Sequence, residues 1–558
     1  MDAWGHDQAS LKKYGCLCYS LSVLKKYPKF GTYACVTLVG LFLAWYLFTL
    51  TANQTFFMEE WKALAESTPF PIKRFFSGYS GHPTLLPSTI YLGIFRVFGL
   101  ESYIIFRLVL VIFHLGTIFL VFGFIRRRHG WIIGTSVAIA LALLGTGAQM
   151  LIWPSTIGPI GSFLFFLISL RCFEKAESSQ RIGWALASCI ALSISAFSAA
   201  QGTGALFVLC VLTLFGGNVK RRWWVSLLPT FTFIIWYLST VASNSGKLES
   251  TSIIRYAWSL ASEGAAGLFG TRGIFGGVAF VGICLYLIVR WRRGEVTLRS
   301  SIFLIYLCAY WGAIAYGRAG MAAIAPASSS RYVYFGAISL VLLISENIKS
   351  QPEGGTLRSQ AAKLFVLLLA ALSIWGTHSS FTDYKEFHSA LSLQEAGRLV
   401  VAESHRDDID GEDVLLSFVG VTVIAKSYFH AIDYYKSSPV TQFRDLAKTD
   451  VAVRGGADSM LFEFGFAAID GPLQKNGDCL RRALDNQPLV VSPGSHVEIH
   501  VSRTTAVYMA RFSDLNSWMP LFKEILEPGS YVISLAADDL GESLRVKFDD
   551  PTAVISCD

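Results

Sequence analysis

The sequence is poor in charged residues. Asp, Glu, Lys and Arg make up only 16% of its 558 residues, against about 25% in soluble domains, and 53% of the residues are hydrophobic. This composition excludes a disordered chain and argues against an ordinary soluble enzyme. Aromatic residues reach 14%, which is typical of a protein with a large lipid-facing surface and aromatic belts at the membrane interfaces.

Several hallmarks of soluble nucleotide-dependent and metal-dependent enzymes are also missing. The sequence contains no Walker loop, no dinucleotide fingerprint and no zinc-ligand pattern, so a cytoplasmic nucleotide-sugar site is not indicated. No cleavable signal peptide is evident, because the first apolar segment, Thr32–Ala52, has 21 residues and exceeds a typical signal core. We expect an uncleaved first transmembrane helix, preceded by a basic cytoplasmic segment over residues 1–31.

The charge is distributed very unevenly along the chain. Residues 1–377 carry a net charge of +18 and residues 378–558 carry −11, within a total of +7. The basic residues of the first part cluster in short gaps between apolar segments, where they act as topology signals rather than as a nucleic-acid footprint. The composition therefore predicts a transmembrane domain over residues 32–377 and a soluble extracytoplasmic domain over residues 378–558.

Hydropathy and charge together predict an all-helical membrane bundle of about eleven spans, with every dense basic cluster on the cytoplasmic side. The segment His82–Gly99 is interrupted by two prolines and contains Arg96, so we expect it to lie at the outer interface or to re-enter rather than to cross. The predicted spans are Thr32–Ala52, Tyr103–Ile125, Trp131–Trp153, Ile157–Phe173, Ile182–Ala200, Thr203–Gly217, Trp223–Ala242, Gly273–Val289, Ser301–Gly317, Tyr332–Ile348 and Ala361–Thr377.

This topology sends the polar, elaborate segments outward. The first outer loop covers residues 53–102, two further outer loops cover Ser243–Arg272 and Arg318–Arg331, and the acidic domain follows the last span. That domain is expected to be mixed α/β or β-rich, with a helix at Leu391–Ser404 and alternating strand segments after it. Its two cysteines, Cys479 and Cys557, are candidates for one disulfide in an oxidising compartment.

Two adjacent carboxylates, Glu59 and Glu60, follow the first span in the run Phe-Phe-Met-Glu-Glu-Trp. An exposed, solvated loop is the plain interpretation of such a pair. At the mouth of an apolar bundle, however, the surroundings raise the pKa of a carboxyl group and suit it to proton abstraction. Trp61 is close enough in sequence to stack on a sugar ring, although interfacial tryptophans are more often anchors.

One pattern in the sequence begins with an acidic residue in the first outer loop. His82-Pro83 follows about twenty residues later, and an interfacial helix and a span that opens near Arg107 come next. Gly317-Arg318-Ala319-Gly320 and Ser330-Arg331-Tyr332 form a second one. Together they resemble the GT-C superfamily of membrane glycosyltransferases, which use polyprenyl-phosphate-linked sugars and include protein O-mannosyltransferases and lipid A aminoarabinose transferases. The resemblance covers roughly residues 32–377. The superfamily usually has Asp, or an Asp-Glu pair, where this chain has Glu59-Glu60.

The resemblance implies an inverting transfer with Glu59 or Glu60 as general base. Such a transfer also needs cations that bind the departing phosphate, and an arginine guanidinium can bind a phosphate through two parallel hydrogen bonds. The alternative to phosphate binding is that each outer Arg only extends its charged group into the membrane interface. The sequence leaves open a divalent cation held by Glu59 and Glu60, and it suggests no other cofactor. The candidate phosphate ligands are Arg318, Arg331, Arg255 and Arg272, with Lys73 and Arg74 as weaker candidates, and the candidate substrate contacts are His82, Trp61, Tyr332 and Gln201.

The sequence thus predicts a glycosyltransferase of the bacterial inner membrane that acts on a cell-envelope glycan or lipid presented in the periplasm. A transporter or flippase for a lipid or glycan is the main alternative, but it predicts charges at mid-membrane and two related halves. The predicted spans are nearly devoid of charge, and the notable polar groups cluster at one face. A non-catalytic receptor or assembly subunit is the third possibility.

Overall fold

The computed structural model describes most of the chain. The described residues are 28–52, 54–68, 83–215, 219–240, 250–270, 274–322, 326–348, 357–418, 421–473, 481–483, 488–515 and 522–557. A helical, largely apolar part is followed by a smaller part that contains β-sheet. This confirms, in outline, the predicted order of a helical bundle and a mixed domain.

The first part consists of helices that run back and forth. Besides the last helix, which is described below, ten of those in the described residues are long: α1 (Pro28–Leu50), α4 (Tyr103–Ala142), α6 (Ile157–Ser179), α7 (Ile182–Ala196), α8 (Gln201–Phe215), α9 (Val219–Thr240), α10 (Ser250–Gly267), α11 (Ile274–Arg292), α12 (Ile302–Arg318) and α13 (Ser330–Asn347). The others are α2 (Glu59–Ala65), α3 (Leu85–Phe98) and α5 (Ala148–Ile152).

The helices differ in how well they match the thickness of a bilayer. Three segments in the described residues are long and apolar enough to cross one: Tyr103–Ala142, Pro154–Ser179 and Phe275–Arg292. Other apolar helices have only 10–17 residues, so the number of spans stays a prediction. The outward faces are apolar as well, with Phe275 and Leu285 of α11 exposed by 71% and 57%, as expected of side chains that contact lipid.

The predicted spans Tyr103–Ile125 and Trp131–Trp153 both begin within α4, which consists of two helices that meet at a kink at Gly130, where φ is +82°. The Nε2 atom of His114 lies 3.1 Å from the carbonyl oxygen of Ala142, so the second helix runs back along the first. The second span also ends eleven residues early, at Ala142, and the chain continues through short helical turns up to Thr156. These turns, residues 143–156, are buried at the predicted outer end of the bundle and contribute to the candidate site described below.

Helix α3 falls within the segment that was expected not to cross. It has 14 residues, which corresponds to about 21 Å at 1.5 Å per residue and is shorter than the ~30 Å hydrocarbon core. One face is buried through Tyr91 and Phe95 while Val97 is 74% exposed. The length and the one-sided burial are both consistent with a helix at the interface.

The last helix of the bundle does not stop at the predicted domain boundary. Helix α14 (Leu357–Ser404) has 48 residues and passes through position 377 without interruption. It contains the predicted span Ala361–Thr377 and the predicted helix Leu391–Ser404 as parts of one rod. The second half of this rod is therefore shared between the bundle and the C-terminal domain, which is called the outer domain here after its predicted location.

The outer domain surrounds the end of α14. Helices α15 (Ala425–Tyr435) and α16 (Val451–Glu463) follow, and three antiparallel sheets are present in the described residues. One is the hairpin β1 (Val414–Phe418) and β2 (Val421–Ile424). The second has the order β5 (Leu489–Val491), β10 (Leu544–Phe548), β7 (Thr505–Ala510), β8 (Phe522–Leu526), and the third has the order β3 (Ala467–Leu473), β9 (Gly529–Leu535), β6 (Ser495–Val501), β11 (Val554–Cys557), β4 (Arg481–Ala483).

The predicted disulfide cannot be assessed directly, because Cys479 lies outside the described residues. Strand β11 does pair with β4, and this pairing sets the backbone of Cys557 opposite that of Arg481. Cys479 lies two residues before Arg481 in the sequence. The pairing of Cys479 with Cys557 stays a prediction.

Two glycines fix how α14 crosses α16. A Cβ atom built on Gly397 would lie 1.9 Å from the carbonyl oxygen of Val453, and one on Gly456 would lie 1.9 Å from the carbonyl oxygen of Gln394. Such distances leave no room for any side chain. The two backbones therefore touch at this crossing, which sets the position of α14 one residue away from Glu395.

Candidate active site

The acidic loop, residues 54–61, is folded tightly against the outer end of the bundle. Phe56 and Phe57 are almost fully buried, and the Phe56 ring lies 5.0 Å from that of Tyr103 and 5.3 Å from that of Trp61. These aromatic contacts anchor the loop by burying its apolar side chains. As a result, the two carboxylates that open α2 are held at the rim and are not part of a solvated loop.

Glu60 is a buried carboxyl group whose two oxygens are already in use. Oε2 accepts hydrogen bonds from the Phe57 amide and the Tyr103 hydroxyl, each at 3.0 Å, and Oε1 accepts one from the Tyr91 hydroxyl at 3.0 Å. Burial raises the pKa of Glu60 to about 8, although these hydrogen bonds act in the opposite direction. Glu60 therefore ties together the acidic loop, α3 and α4.

Glu59 is in a different situation from its neighbour. It is half-buried, and its Oε2 atom is buried without a hydrogen-bond partner. Burial raises the pKa of Glu59, while its own backbone amide and the positive charges of Arg331 and Arg318 lower it. An unpaired carboxylate oxygen close to cationic groups is suited to accept a proton from a substrate.

The structure brings Arg331 and Arg318 together at the outer ends of neighbouring helices. Arg318 ends α12 and Arg331 is the second residue of α13, so they flank the loop that connects these helices. The Arg331 guanidinium carbon lies 5.2 Å from the centre of the Tyr332 ring, and its Nε atom is buried and unpartnered. Both arginines act electrostatically on Glu59, so the predicted acid and two predicted cations share one region.

Tyr332 and Gln201 contribute polar groups near the arginines. Tyr332 is buried and lies near Tyr256 of α10, which also lies near Arg331 and Arg318. Gln201 opens α8 beside Tyr310, and its Oε1 atom is buried without a partner. Tyr310 in turn lies near Tyr332 and Arg331, so these side chains belong to one polar region.

The turns at residues 143–156 add a polar contact that sequence reasoning missed. The Gln149 amide donates to Ser330 Oγ at 3.1 Å, and Ser329 Oγ donates to Gln149 Oε1 at 3.3 Å. Tyr384 of α14 lies near Gln149, Arg331 and Glu59. Gln149 is thus hydrogen-bonded to the start of α13 and lies near α14, beside the proposed reacting groups.

His388, one turn after Tyr384, is fully buried and has no hydrogen-bond partner at either ring nitrogen. Its ring centre lies 4.5 Å from that of Phe57 and 6.4 Å from that of Trp153, and the Trp153 indole nitrogen is also buried without a partner. Burial lowers the pKa of His388 to about 3, so the imidazole is neutral at physiological pH. Unpaired buried polar groups are rare in proteins and tend to mark functional sites.

Glu395 reaches the acidic loop from α14, and no sequence pattern had indicated it. Its Oε2 atom accepts hydrogen bonds from the Trp61 indole nitrogen at 2.8 Å and from the Met58 amide at 3.2 Å. Glu395 is 6% exposed. Burial raises its pKa well above the ordinary value, against the effect of these two hydrogen bonds, and the nearby Glu60 and Glu59 raise it further.

The remaining predicted site residues have varied positions. Trp61 is fully buried between Phe56 and Tyr428, a position that favours a role in the core, so its contact with a sugar stays a prediction without structural support. Arg255 is exposed on α10. His82 and Arg272, like Lys73 and Arg74, lie outside the described residues.

The acidic groups do not form a metal site in the described part of the chain. No group of three or more His, Cys, Asp or Glu side chains there is arranged to hold a metal ion. Glu60, one of the two ligands suggested by the sequence, already accepts three hydrogen bonds. The donor set that is present does not fit a divalent cation, and no step of the reaction is assigned to one.

A separate groove of about 450 Å³ lies on the outer domain. It is lined by Glu101 next to the start of α4 and by residues in and after α15: Ile432, Asp433, Lys436, Ser437, Ser438, Thr441 and Arg444. Neither the carboxylates of the acidic loop nor Arg331 lines it. Its mixed charges do not indicate a particular ligand.

No family model matches the sequence, and no curated protein matches it. Among solved structures, ArnT from Cupriavidus metallidurans bound to undecaprenyl phosphate is similar, with 13% identity and a TM-score of 0.46 over 75% of this chain and 91% of that chain. The same enzyme in the apo state has the same identity and TM-score over 92% of its chain. At this identity and TM-score the similarity transfers no chemistry, which has to follow from the residues of this chain.

Proposed function

We propose that the protein is an integral membrane glycosyltransferase that moves a sugar from a polyprenyl-phosphate donor to a hydroxyl group of a cell-envelope glycan or lipid. The observation that carries the proposal is the unpaired oxygen of Glu59 in the field of Arg331 and Arg318. A base and two phosphate-binding cations are the groups that such a transfer needs. The apolar helices and their exposed faces supply the lipid environment for a prenyl chain.

In the proposed reaction Glu59 is the general base. The acceptor oxygen forms a bond to the anomeric carbon while its proton moves to the unpaired Oε2 atom of Glu59. The bond between the anomeric carbon and the phosphate oxygen breaks, and the electron pair leaves with the phosphate. Attack from the face opposite the leaving group inverts the anomeric centre.

The leaving group gains charge as it departs. The donor is a phosphodiester with one negative charge, and the product lipid phosphate is a monoester that carries up to two. Arg331 and Arg318 are proposed to stabilise this additional charge, because guanidinium groups bind phosphate oxygens in pairs. The unpartnered Nε atom of Arg331 supports this assignment.

Glu60 is proposed to position the loop and not to act as the base. Its oxygens accept three hydrogen bonds, so a substrate hydroxyl would have to displace Tyr91 or Tyr103 to reach it. Glu59 has no such competition at Oε2. This difference supports Glu59 as the base among the two carboxylates that the sequence could not distinguish.

The proposed location is the bacterial inner membrane, with the N-terminus in the cytoplasm and the outer domain in the periplasm. The distribution of charge supports this orientation, since the basic cluster Arg126-Arg127-Arg128 lies next to the kink of α4 at Gly130 and the cluster Arg290 to Arg293 lies at the C-terminal end of α11. Glu59, Arg318 and Arg331 belong to loops that the same rule sends outward. The acceptor would then be an envelope component on the outer side.

A complementation experiment tests the role of Glu59. A strain without the gene receives the wild type, Glu59→Gln, Glu60→Gln or Glu66→Gln, and its envelope glycans and lipids are compared by mass spectrometry. Glu66 is an exposed acid one residue after α2 and serves as the matched control. We expect Glu59→Gln to abolish the modification, with a loss on the order of 10²- to 10⁴-fold for a general base, and Glu66→Gln to retain it.

Full activity of Glu59→Gln would remove the proposed base. Binding of undecaprenyl phosphate to the purified full-length protein, measured by native mass spectrometry, tests the cations separately. Arg331→Gln is expected to weaken this binding by about tenfold or more, as for a lost charged hydrogen bond, while Glu59→Gln should not weaken it, because this change removes a negative charge near Arg331 and Arg318. Equal binding by Arg331→Gln and the wild type would contradict the phosphate role.

A further inference from the structure

Glu395 joins α14 to the acidic loop through side-chain hydrogen bonds. Its Oε2 atom accepts from the Met58 amide at 3.2 Å and from the Trp61 indole at 2.8 Å. The donors are separated from Glu395 by more than 330 positions in the sequence. A buried carboxyl group with two donors on one oxygen is a strong and specific tie.

The residue that Glu395 holds has an unusual backbone conformation. Met58 has φ +48° and ψ −112°, in the region that residues with a side chain rarely adopt. Such a conformation costs on the order of 1–3 kcal/mol and persists only where the surroundings impose it. Here it places Glu59, the next residue, at the start of α2.

Two carboxyl groups impose this turn from opposite sides. Oε2 of Glu60 accepts from the amide of Phe57, and Oε2 of Glu395 accepts from the amide of Met58, so two consecutive backbone N–H groups are bound. The Trp61 indole adds a third donor on the first turn of α2. With these bonds in place the backbone before Glu59 has little freedom to relax.

We infer that Glu395 is a positioning residue, which holds Met58 in its left-handed turn and thereby keeps Glu59 directed towards Arg331 and Arg318. This inference rests on the proposed function, because it gives Glu395 a task in the same transfer reaction. Glu395 does not act as a second base, since its Oε2 atom is occupied and the residue is buried.

The position of Glu395 is itself fixed by the outer domain. The neighbouring residue, Gln394, has its carbonyl oxygen against Gly456, and Gly397 packs against the Val453 carbonyl. These close approaches between α14 and α16 leave no freedom to slide. The outer domain is thus linked to the proposed base through α16, α14, Glu395 and Met58, in that order.

Three substitutions of Glu395 in the full-length protein test the inference. Gln keeps an acceptor oxygen of the same reach, Asp shortens the reach, and Ala removes the acceptor. The assay uses the polyprenyl-phosphate-sugar fraction extracted from the native membrane as donor and an envelope fraction as acceptor. We expect kcat to fall about 100-fold in Glu395→Ala, as for a displacement of about 1 Å at a reacting group, with the half-saturating donor concentration changed less than about twofold.

The conservative variant and a partial variant sharpen the comparison. Glu395→Gln is expected to stay within about threefold of the wild type, and Glu395→Asp to resemble the Ala variant. Trp61→Phe removes one of the two donors, and its kcat should lie between those of Glu395→Gln and Glu395→Ala. Wild-type kcat in Glu395→Ala, or an equal loss in the Gln and Ala variants, would overturn the inference.

A destabilised control separates positioning from general loss of folding. Ile499→Ala removes a fully buried apolar side chain from β6, an element outside the series of contacts from α16 to Met58, and leaves a destabilising cavity. It should lower the Tm at least as much as Glu395→Ala while kcat changes less than about threefold. A loss of kcat in Ile499→Ala as large as in Glu395→Ala would assign both effects to stability alone.

Hydrogen exchange gives a readout that does not depend on activity. In Glu395→Ala the amides of residues 54–66 should exchange at least tenfold faster than in the wild type, and in Glu395→Gln at the wild-type rate. If Glu59→Gln is active, Glu59 is not the base. Faster exchange in Glu395→Ala would even then support the claim that Glu395 fixes the backbone of Met58. Unchanged exchange in the Ala variant would overturn that hold whatever the reaction.

Discussion

The protonation of Glu60 predicts how the stability of the protein depends on pH. Its pKa is about 8 in the folded protein, against an ordinary value of 4.5. Between these two pH values the folded state keeps a proton that the unfolded state has released. The stabilisation by Glu60 is therefore complete below pH 4.5 and is lost as the pH rises towards 8.

The size of the effect follows from the same two values. Each pH unit in this interval removes about 1.4 kcal/mol, so the full interval corresponds to about 5 kcal/mol for this fully buried group. Glu60→Gln cannot titrate; its amide oxygen can accept from the Phe57 amide and the Tyr103 hydroxyl in place of Oε2, and its NH2 group can donate to the Tyr91 hydroxyl. The difference in stability between wild type and variant should therefore shrink steadily as the pH rises.

Thermal unfolding in one detergent, followed by tryptophan fluorescence from pH 5.5 to pH 8.5, measures this difference. We expect the Tm of the wild type to fall relative to that of Glu60→Gln across the range. Glu66→Gln, at an exposed position, should run parallel to the wild type. A constant difference, or one that grows in favour of the wild type at high pH, would refute the assignment of a proton to Glu60.

Two further predictions concern α14. The first is that His388→Phe removes a loss of stability at acid pH. Because burial lowers the pKa of His388 from 6.5 to about 3, the unfolded state takes up a proton before the folded state does as the pH falls below 6.5. The wild type should therefore lose about 1.4 kcal/mol of stability per pH unit relative to the variant, and parallel stability curves would contradict this. Gly456→Ala should destabilise the protein by about 1–3 kcal/mol, as overpacking does, because the added Cβ meets the Gln394 carbonyl oxygen at 1.9 Å; thermal unfolding checks it, and an unchanged Tm would show that the crossing can open.

The sequence was sufficient for the groups that mark the ends of apolar segments. Glu59, Arg318 and Arg331 stand out because charges are scarce in this chain and these three lie where predicted spans begin or end. The predicted topology puts all three on one side of the bundle, and the structure brings both arginines close enough to act electrostatically on Glu59. What the sequence could not do was to separate Glu59 from Glu60, because that depends on which hydrogen-bond donors fold over each carboxylate.

The other site residues were beyond reach for a different reason. Gln149 lies in turns whose sequence looks like the continuation of an apolar span. Its role becomes visible only through its hydrogen-bond partners at the start of α13. His388 and Glu395 lie in a polar helical stretch beyond the last predicted span, and their contacts with the acidic loop connect positions more than 300 residues apart. Local periodicity carries no information about contacts at that separation.

Helix α14 also limits how the protein can be divided. Its 48 residues form a rod of about 72 Å at 1.5 Å per residue, and the compositional boundary at residue 377 falls inside it. A chain cut there would keep the acidic loop and the arginines but lose Tyr384, His388 and Glu395. The membrane part is therefore not a self-sufficient module, and a natural relative or engineered variant with a shorter C-terminal region would need a substitute for the missing half of this helix.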